Sequence, residues 1–217
     1  FGLFRTEEGS QRHKGLSKIL VPLDSPGLTR RPIAQLDGDA GFAELFFDEV
    51  RVPVENLLGP EHGGWGVAMA TAGFERGLLL RSPARFQAAA ARLVELYKAN
   101  KDRLSSGVRE SVIKAVMQSD QFCAATYQLV ARVGAGASIT SEASANKIFW
   151  SEMDRAMHRT AMTIMGAQAE VEEGLDAVSD GRWLDGYMLS LAGLIYAGTN
   201  EIQRNILAER VLGLPRK

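Results

Sequence analysis

The apolar positions change rhythm once along the chain. Up to about residue 60 they come in short runs rich in Leu, Ile, Val and Phe, at 16–21, 28–34 and 42–52, and residues 1–5 also read as a strand. The turn signals Asp24-Ser25-Pro26-Gly27 and Asp37-Gly38-Asp39 separate these runs. Residues 42–52 alternate imperfectly, as an antiparallel strand with one covered face does. After Gly63-Gly64 the period becomes helical. Phe86, Ala90, Leu93 and Tyr97 are spaced 4, 3 and 4 apart; Val112, Ala115, Phe122, Leu129 and Val133 share a face; Phe149, Met153, Ala156, Thr160 and Ile164 mark a third run. Ser105-Ser106-Gly107, 134–138 and 174–181 interrupt the runs with Gly, Ser and Asp. A last, shorter helix is expected from Asn200, with the Asn200 side chain capping it, Gln203 reaching back, and Gly213 and Pro215 ending it.

These elements predict an α+β chain. A partial antiparallel β domain over 1–60, too short to close a barrel, precedes an antiparallel up-down four-helix bundle over 61–217.

Composition narrows the partners. Twenty-five basic against 26 acidic residues leave a net charge of −1, which argues against a nucleic acid or an anionic membrane surface as the main partner. A chain of 217 residues buries enough surface to fold without a staple. The single Cys123 allows no internal disulfide, and His13, His62 and His158 lie far apart, so no metal site and a reducing, cytoplasmic setting are expected. No window of 18 apolar residues suggests a membrane span, and no signal pattern opens the chain. Because Phe1 already reads as strand, a longer polypeptide is expected.

Four segments carry candidate chemistry. Gly59-Pro60-Glu61-His62-Gly63-Gly64-Trp65 reads as a hinge, since it lacks the glycine and lysine spacing of a phosphate cradle. Gly73-Phe74-Glu75-Arg76-Gly77 sits in an apolar helix running on through Leu78, Leu79 and Leu80. A charged pair there is either a satisfied ion pair or a place that a ligand approaches closely. The small residues of Thr163-Ile164-Met165-Gly166-Ala167-Gln168-Ala169 suit close helix packing. Finally, 195–204 puts Ala-Gly-Thr before a helix whose free N–H groups and dipole can receive a carbonyl oxygen or an anion, or which is simply a capped helix.

The run from Gly198-Thr199-Asn200-Glu201-Ile202-Gln203-Arg204 to Gly213-Leu214-Pro215-Arg216 resembles the ending of bacterial acyl-CoA dehydrogenases. Gly15-Leu16-Ser17-Lys18-Ile19-Leu20-Val21-Pro22, the stretch from Phe47-Asp48-Glu49-Val50 to Leu58-Gly59, and Gly64-Trp65 resemble that family's middle β domain and its junction to the helical domain. The chain thus looks like the C-terminal half of such an enzyme.

The resemblance implies FAD as cofactor, an acyl-CoA thioester as substrate, and an electron-transfer flavoprotein or similar acceptor. The chemistry is α,β-dehydrogenation, in which a carboxylate takes the α-proton and the β-hydrogen leaves as hydride to flavin N5. Many members place that carboxylate directly before the Gly-Thr of the C-terminal motif, where this sequence has Ala197. A minority place it on the first long helix of the C-terminal domain, before an arginine at the substrate; that pair is Glu75 and Arg76 here.

The same resemblance implies flavin contacts from Thr199, Asn200 and Glu201, a substrate-facing backbone at Gly198, and contacts from Thr163, Gly166 and Ala167 to the adenosine part of a neighbouring subunit's FAD. Another flavin-contacting segment, Arg-x-x-Phe-Gly, has no counterpart in 96–102. A homotetramer or homodimer is implied, the alternative being a heteromer in which this chain is a non-catalytic partner.

Overall fold

The computed structural model describes residues 1–78, 82–137 and 141–215, and the side chains of all of these except 72–78 and Ser141. The chain is α+β and divides into two compact units, Phe1–Arg76 and Gly77–Lys217.

In the first unit β1 (Gly2–Arg5) pairs antiparallel with β2 (Leu16–Ile19), from Gly2↔Ile19 to Arg5↔Leu16. β5 (Leu57–Leu58) joins the other edge of β2. β3 (Leu28–Ile33) and β4 (Phe42–Phe47) form a separate antiparallel ribbon from Leu28↔Phe47 to Ile33↔Phe42. The Asp24–Gly27 turn precedes β3, and Gly27 takes φ +85°, which a residue with a side chain adopts only under strain.

α1 (Gly64–Leu78) begins directly on β2. A Cβ on Gly64 would lie 2.3 Å from the backbone nitrogen of Lys18, so only glycine lets the helix approach this closely. Lys18 is buried and donates from Nζ to Thr71 Oγ1 at 2.8 Å. Ser17 Oγ accepts from the His62 N–H at 2.9 Å. The 59–65 segment is therefore a packed seam between strand and helix. The first compact unit, Phe1–Arg76, accordingly includes most of α1.

The second unit holds, among the described residues, α2 (Pro83–Asn100), α3 (Ser106–Gly134), α4 (Ser141–Met165), α5 (Arg182–Ala192) and α6 (Asn200–Arg210). Pro83 starts α2, where its missing N–H costs nothing. Much of the predicted apolar faces becomes the core, with Phe86, Leu93, Phe122, Met153 and Ile164 buried, but on α4 the buried positions also include Trp150 and Met157, which the predicted face omits, while Ala156 and, on α3, Val133 are exposed. Phe86 meets Phe122 edge-on at 5.1 Å and stacks on Trp150 at 6.4 Å. Phe122 faces Phe149, and further along Arg132 pairs with Glu142 at 2.9 Å, so α3 and α4 run antiparallel.

α5 is an addition to the four predicted helices. It buries Trp183 and Ser190, and it carries Gly186 where a Cβ would lie 2.4 Å from His158 Nε2. An inward face made of Trp, Gly and Ser does not register as an apolar stripe. Among the described residues no helix is long and apolar enough to cross a membrane.

Candidate functional site

The C-terminal motif is folded as a tight turn, 193–199, leading into α6. Ala197 has φ +55° and Gly198 φ +82°, two left-handed residues in succession. Gly198 is fixed by more than its dihedral, because a Cβ there would lie 2.7 Å from Gln203 Nε2. That amide, on a buried side chain, donates to the Ala197 carbonyl at 2.9 Å. Gln203 does reach back, as the sequence suggests, but to a carbonyl before the helix.

The cap differs from the expected one. Thr199 is the N-cap, its Oγ1 accepting from the Ile202 N–H at 3.3 Å. Asn200 is the first helical residue and turns inward, only 3% exposed. The displacement has a physical reason: Asn200 Oδ1 accepts from Lys147 Nζ at 2.6 Å and from Ser151 Oγ at 3.2 Å, both on α4. Its Nδ2 donates to Glu152 Oε1 at 3.3 Å, and Arg204 also pairs with that carboxylate. The backbone N–H of Asn200 donates to Leu194 O at 3.0 Å, and Lys147 Nζ donates to the same carbonyl at 3.1 Å.

Two titrations respond to this arrangement. Burial pushes the Lys147 ammonium below its ordinary 10.5, with the Glu201 carboxylate acting in the opposite direction. Glu201, exposed at the head of α6, is held below its ordinary 4.5 by its own backbone N–H and by the Thr199 hydroxyl.

Lys147 belongs to a wider pattern. Ser144, Lys147, Ser151, Asp154 and His158 follow one another at steps of 3, 4, 3 and 4 along α4, and all are buried. This polar seam runs beside the Trp150, Met153 and Met157 face. His158 sits against Trp183, its Nδ1 2.9 Å from the Asp154 carbonyl oxygen, so it is a core histidine.

The second group of predicted residues lies at the other end of α4. Thr163 is exposed and its Oγ1 donates to Arg159 O at 3.0 Å. Gly166, at φ +61°, ends the helix, and Ala167 is exposed in the short turn Gly166–Glu170. Arg103 donates to Ile164 O at 3.0 Å and satisfies one terminal carbonyl. Between α3 and α4 a pocket of about 390 Å³ opens beside Thr163, with Lys114, Arg155 and Arg159 in its wall and no carboxylate among its described lining residues.

Thr163 is twelve residues beyond Ser151 and sixteen beyond Lys147. At about 1.5 Å rise per residue the two groups are about 20 Å apart along α4.

Glu75 and Arg76 fall in α1, which is continuous through Gly73 and Gly77 to Leu78. Their side chains, and residues 79–81, lie outside the described residues. The sequence reasoning missed Lys147, Ser151, Glu152 and Arg204. The signal was present in the polar period of α4, but a lysine at helical spacing ordinarily reads as a solvated position.

A family profile described as "Acyl-CoA dehydrogenase, C-terminal domain" matches residues 62–212. Acyl-CoA dehydrogenase IpdE1 of Mycobacterium tuberculosis is 39% identical over 221 residues, covering 100% of this chain and 55% of its own length. Acyl-CoA dehydrogenase FadE26 of the same organism is 29% identical over 219 residues, 96% of this chain and 54% of its own. Among solved structures, the Tcur3481-Tcur3483 steroid acyl-CoA dehydrogenase superposes with a TM-score of 0.88 at 25% identity, over 99% of this chain and 56% of that one. The ChsE4-ChsE5 complex from Mycobacterium tuberculosis gives 0.82, also at 25% identity, over 99% and 57%. The chain spans about half the length of the curated relatives it matches.

Proposed function

This chain belongs to the acyl-CoA dehydrogenase family, and on that premise we propose that it forms part of a flavin-dependent enzyme for α,β-dehydrogenation of an acyl-CoA thioester, with Glu75 as the base. The observation that carries this reading is the turn before α6. Ala197, held at φ +55° by the Gln203 contact to its carbonyl, offers only a methyl group. A methyl accepts no proton, and the remaining family position for a carboxylate is Glu75, followed by Arg76 on α1.

Glu75 takes the α-proton and holds it on its carboxyl oxygen. A water-poor site suits that role, because desolvation raises a carboxylate's pKa toward the working range. Arg76 orients the substrate. The exposed Gly198 at the positive end of α6 presents backbone to the thioester oxygen as negative charge develops there.

The residues present suit FAD. A pocket with three cationic side chains and no described carboxylate suits the cofactor's adenosine diphosphate portion, which Lys114, Arg155, Arg159 and Thr163 would hold, with Gly166 and Ala167 following Thr163 at the end of α4. Thr199 and Glu201, half-buried and exposed at the head of α6, would meet the flavin portion, and Asn200 supports them from inside. When bound, FAD supplies the two-electron acceptor for the β-hydrogen. The separation of about 20 Å along α4 favours the two groups serving flavins of different subunits in a homodimer or homotetramer. An electron-transfer flavoprotein or similar acceptor reoxidises the cofactor.

Gly73 and Gly77 remove bulk on either side of the base, and the likeness to a steroid acyl-CoA dehydrogenase favours a polycyclic or branched acyl group. Anaerobic titration of the full-length protein with a panel of acyl-CoA thioesters tests both points. Bleaching of the flavin by bulky thioesters is expected; bleaching by short linear chains alone contradicts the acyl preference, and no bleaching by any thioester contradicts the activity.

A second reading rests on the same alanine and on the likeness to a structure solved as a complex of two named chains. In it this chain is the non-catalytic member of a heteromer. One flavin per two chains, with a related chain co-purifying, supports that reading; one flavin per chain in a homomer excludes it.

A further inference from the structure

The buried lysine on α4 has no part in the chemistry just described, yet its hydrogen bonds end on the segment that carries it. Lys147 is 6% exposed in a unit whose other described core positions are mainly apolar. An ammonium loses hydration there, and burial lowers its pKa. Such a group persists where its protons are taken up by strong acceptors. Two are in place: Leu194 O at 3.1 Å, at the start of the turn, and Asn200 Oδ1 at 2.6 Å, at its end. Leu194 O also receives the Asn200 backbone N–H at 3.0 Å, so one carbonyl closes the loop twice.

Between those anchors lie Ala197 and Gly198, both in the left-handed region, a conformation that costs the alanine but not the glycine. The Gln203 contact to Ala197 O braces the middle of the loop, while the Asn200 N–H and the lysine join its ends.

We propose that Lys147 is a positioning residue, which clamps the ends of the 194–200 turn and so sets where Gly198 and Thr199 present themselves at the head of α6. It touches neither flavin nor thioester and acts on both through the turn. The consequence for flavin rests on the functional reading above; the clamp itself does not.

Hydrogen–deuterium exchange on the full-length protein separates the two. In Lys147→Met, which keeps volume and removes the donors, amides of 194–200 are expected to exchange at least tenfold faster than in the wild type. Amides of Phe86, Leu93 and Phe122 should stay within twofold. The dissociation constant for FAD, read by flavin fluorescence on the apoprotein, should rise at least tenfold. Asn200→Ala reads the same contact from the other side and serves alone where the Met variant does not fold. The double variant should lose less than the sum of the two single ones, because both lose the Lys147–Asn200 contact while Asn200→Ala also loses those to Ser151 and Glu152 and Lys147→Met that to Leu194 O.

Unchanged exchange in 194–200 overturns the proposal, and so does a uniform acceleration across the core, which marks a merely structural residue. Faster exchange with unaltered FAD affinity overturns the link to the flavin while leaving the clamp. Should the wild-type protein bind no FAD, the functional reading fails and the exchange pattern alone decides the role of Lys147.

Discussion

Lys147 Nζ and Asn200 Oδ1 lie 2.6 Å apart between α4 and α6, and both side chains are buried. A lysine is thereby placed on the inside of the helical unit, beside the turn that leads into α6. The pair accounts for why Asn200 does not cap its helix and for why Thr199 does.

Gly198 and Ala197 are neighbours with similar dihedrals and should respond oppositely to substitution. Gly198→Ala places a methyl 2.7 Å from Gln203 Nε2 at φ +82°, and a loss of about 2 kcal/mol is expected from the left-handed conformation and the displaced amide together. Ala197→Gly relieves a left-handed alanine and should be neutral or stabilising by up to about 1 kcal/mol. Chemical denaturation midpoints of the two variants check the pair, and equal losses would contradict the turn geometry.

Thr199→Ala removes the acceptor for the Ile202 N–H and should cost about 1 kcal/mol. Thr199→Ser keeps the hydroxyl and should cost much less. Asn200→Ser, by contrast, fails to preserve stability despite serine being a good capping residue, because position 200 is not the cap. Thermal unfolding of the three variants distinguishes the two assignments of the helix start.

The charge of Lys147 links folding to pH. Its pKa in the folded chain is below the ordinary 10.5, so just under that pH the unfolded chain holds more protons than the native one. Stability then rises with pH as the native group loses its proton first, and the rise levels off above 10.5, once the unfolded chain has lost its proton as well. Lys147→Met abolishes this contribution. The difference in unfolding free energy between wild type and variant should therefore shift toward the wild type as pH is raised toward 10.5. A difference flat in pH would show that the ammonium is not desolvated.

The pocket beside Thr163 predicts a different dependence. Lys114→Met and Arg159→Met each remove a cation from a wall without a described carboxylate, and each should weaken FAD binding several-fold, more so at low salt than at high. Isothermal titration of the apoprotein with FAD at two ionic strengths measures this, and salt-independent losses would point to shape rather than charge.

Much of the fold is legible in the sequence because its signals are periodic. Phe86, Leu93, Phe122 and Ile164 recur at helical spacing and occupy the core. Gly63-Gly64 marks the change of period, though what requires Gly64 is its approach to the Lys18 backbone, a contact between residues distant in sequence. α5 is illegible because its buried positions are chemically mixed. The motif at 198–204 is readable by resemblance, but the partners of Asn200 are not: Lys147, Ser151 and Glu152 are about 50 residues away, and charge or polarity at helical spacing ordinarily means solvent. Pairing across helices is decided by packing, which a linear pattern does not contain.

Glu75 as base is the centre of the account, and one comparison bears on it most directly. Full-length wild type and Glu75→Gln are loaded with FAD and mixed anaerobically with a bulky acyl-CoA in a stopped-flow instrument, and the loss of oxidised flavin absorbance is followed. Equal flavin content in the two proteins is expected, with a reduction rate about 10³-fold lower in the variant, within the span usual for a single acid–base group, because no other carboxylate stands in at Ala197. Flavin reduction in Glu75→Gln within tenfold of the wild type would contradict Glu75 as base.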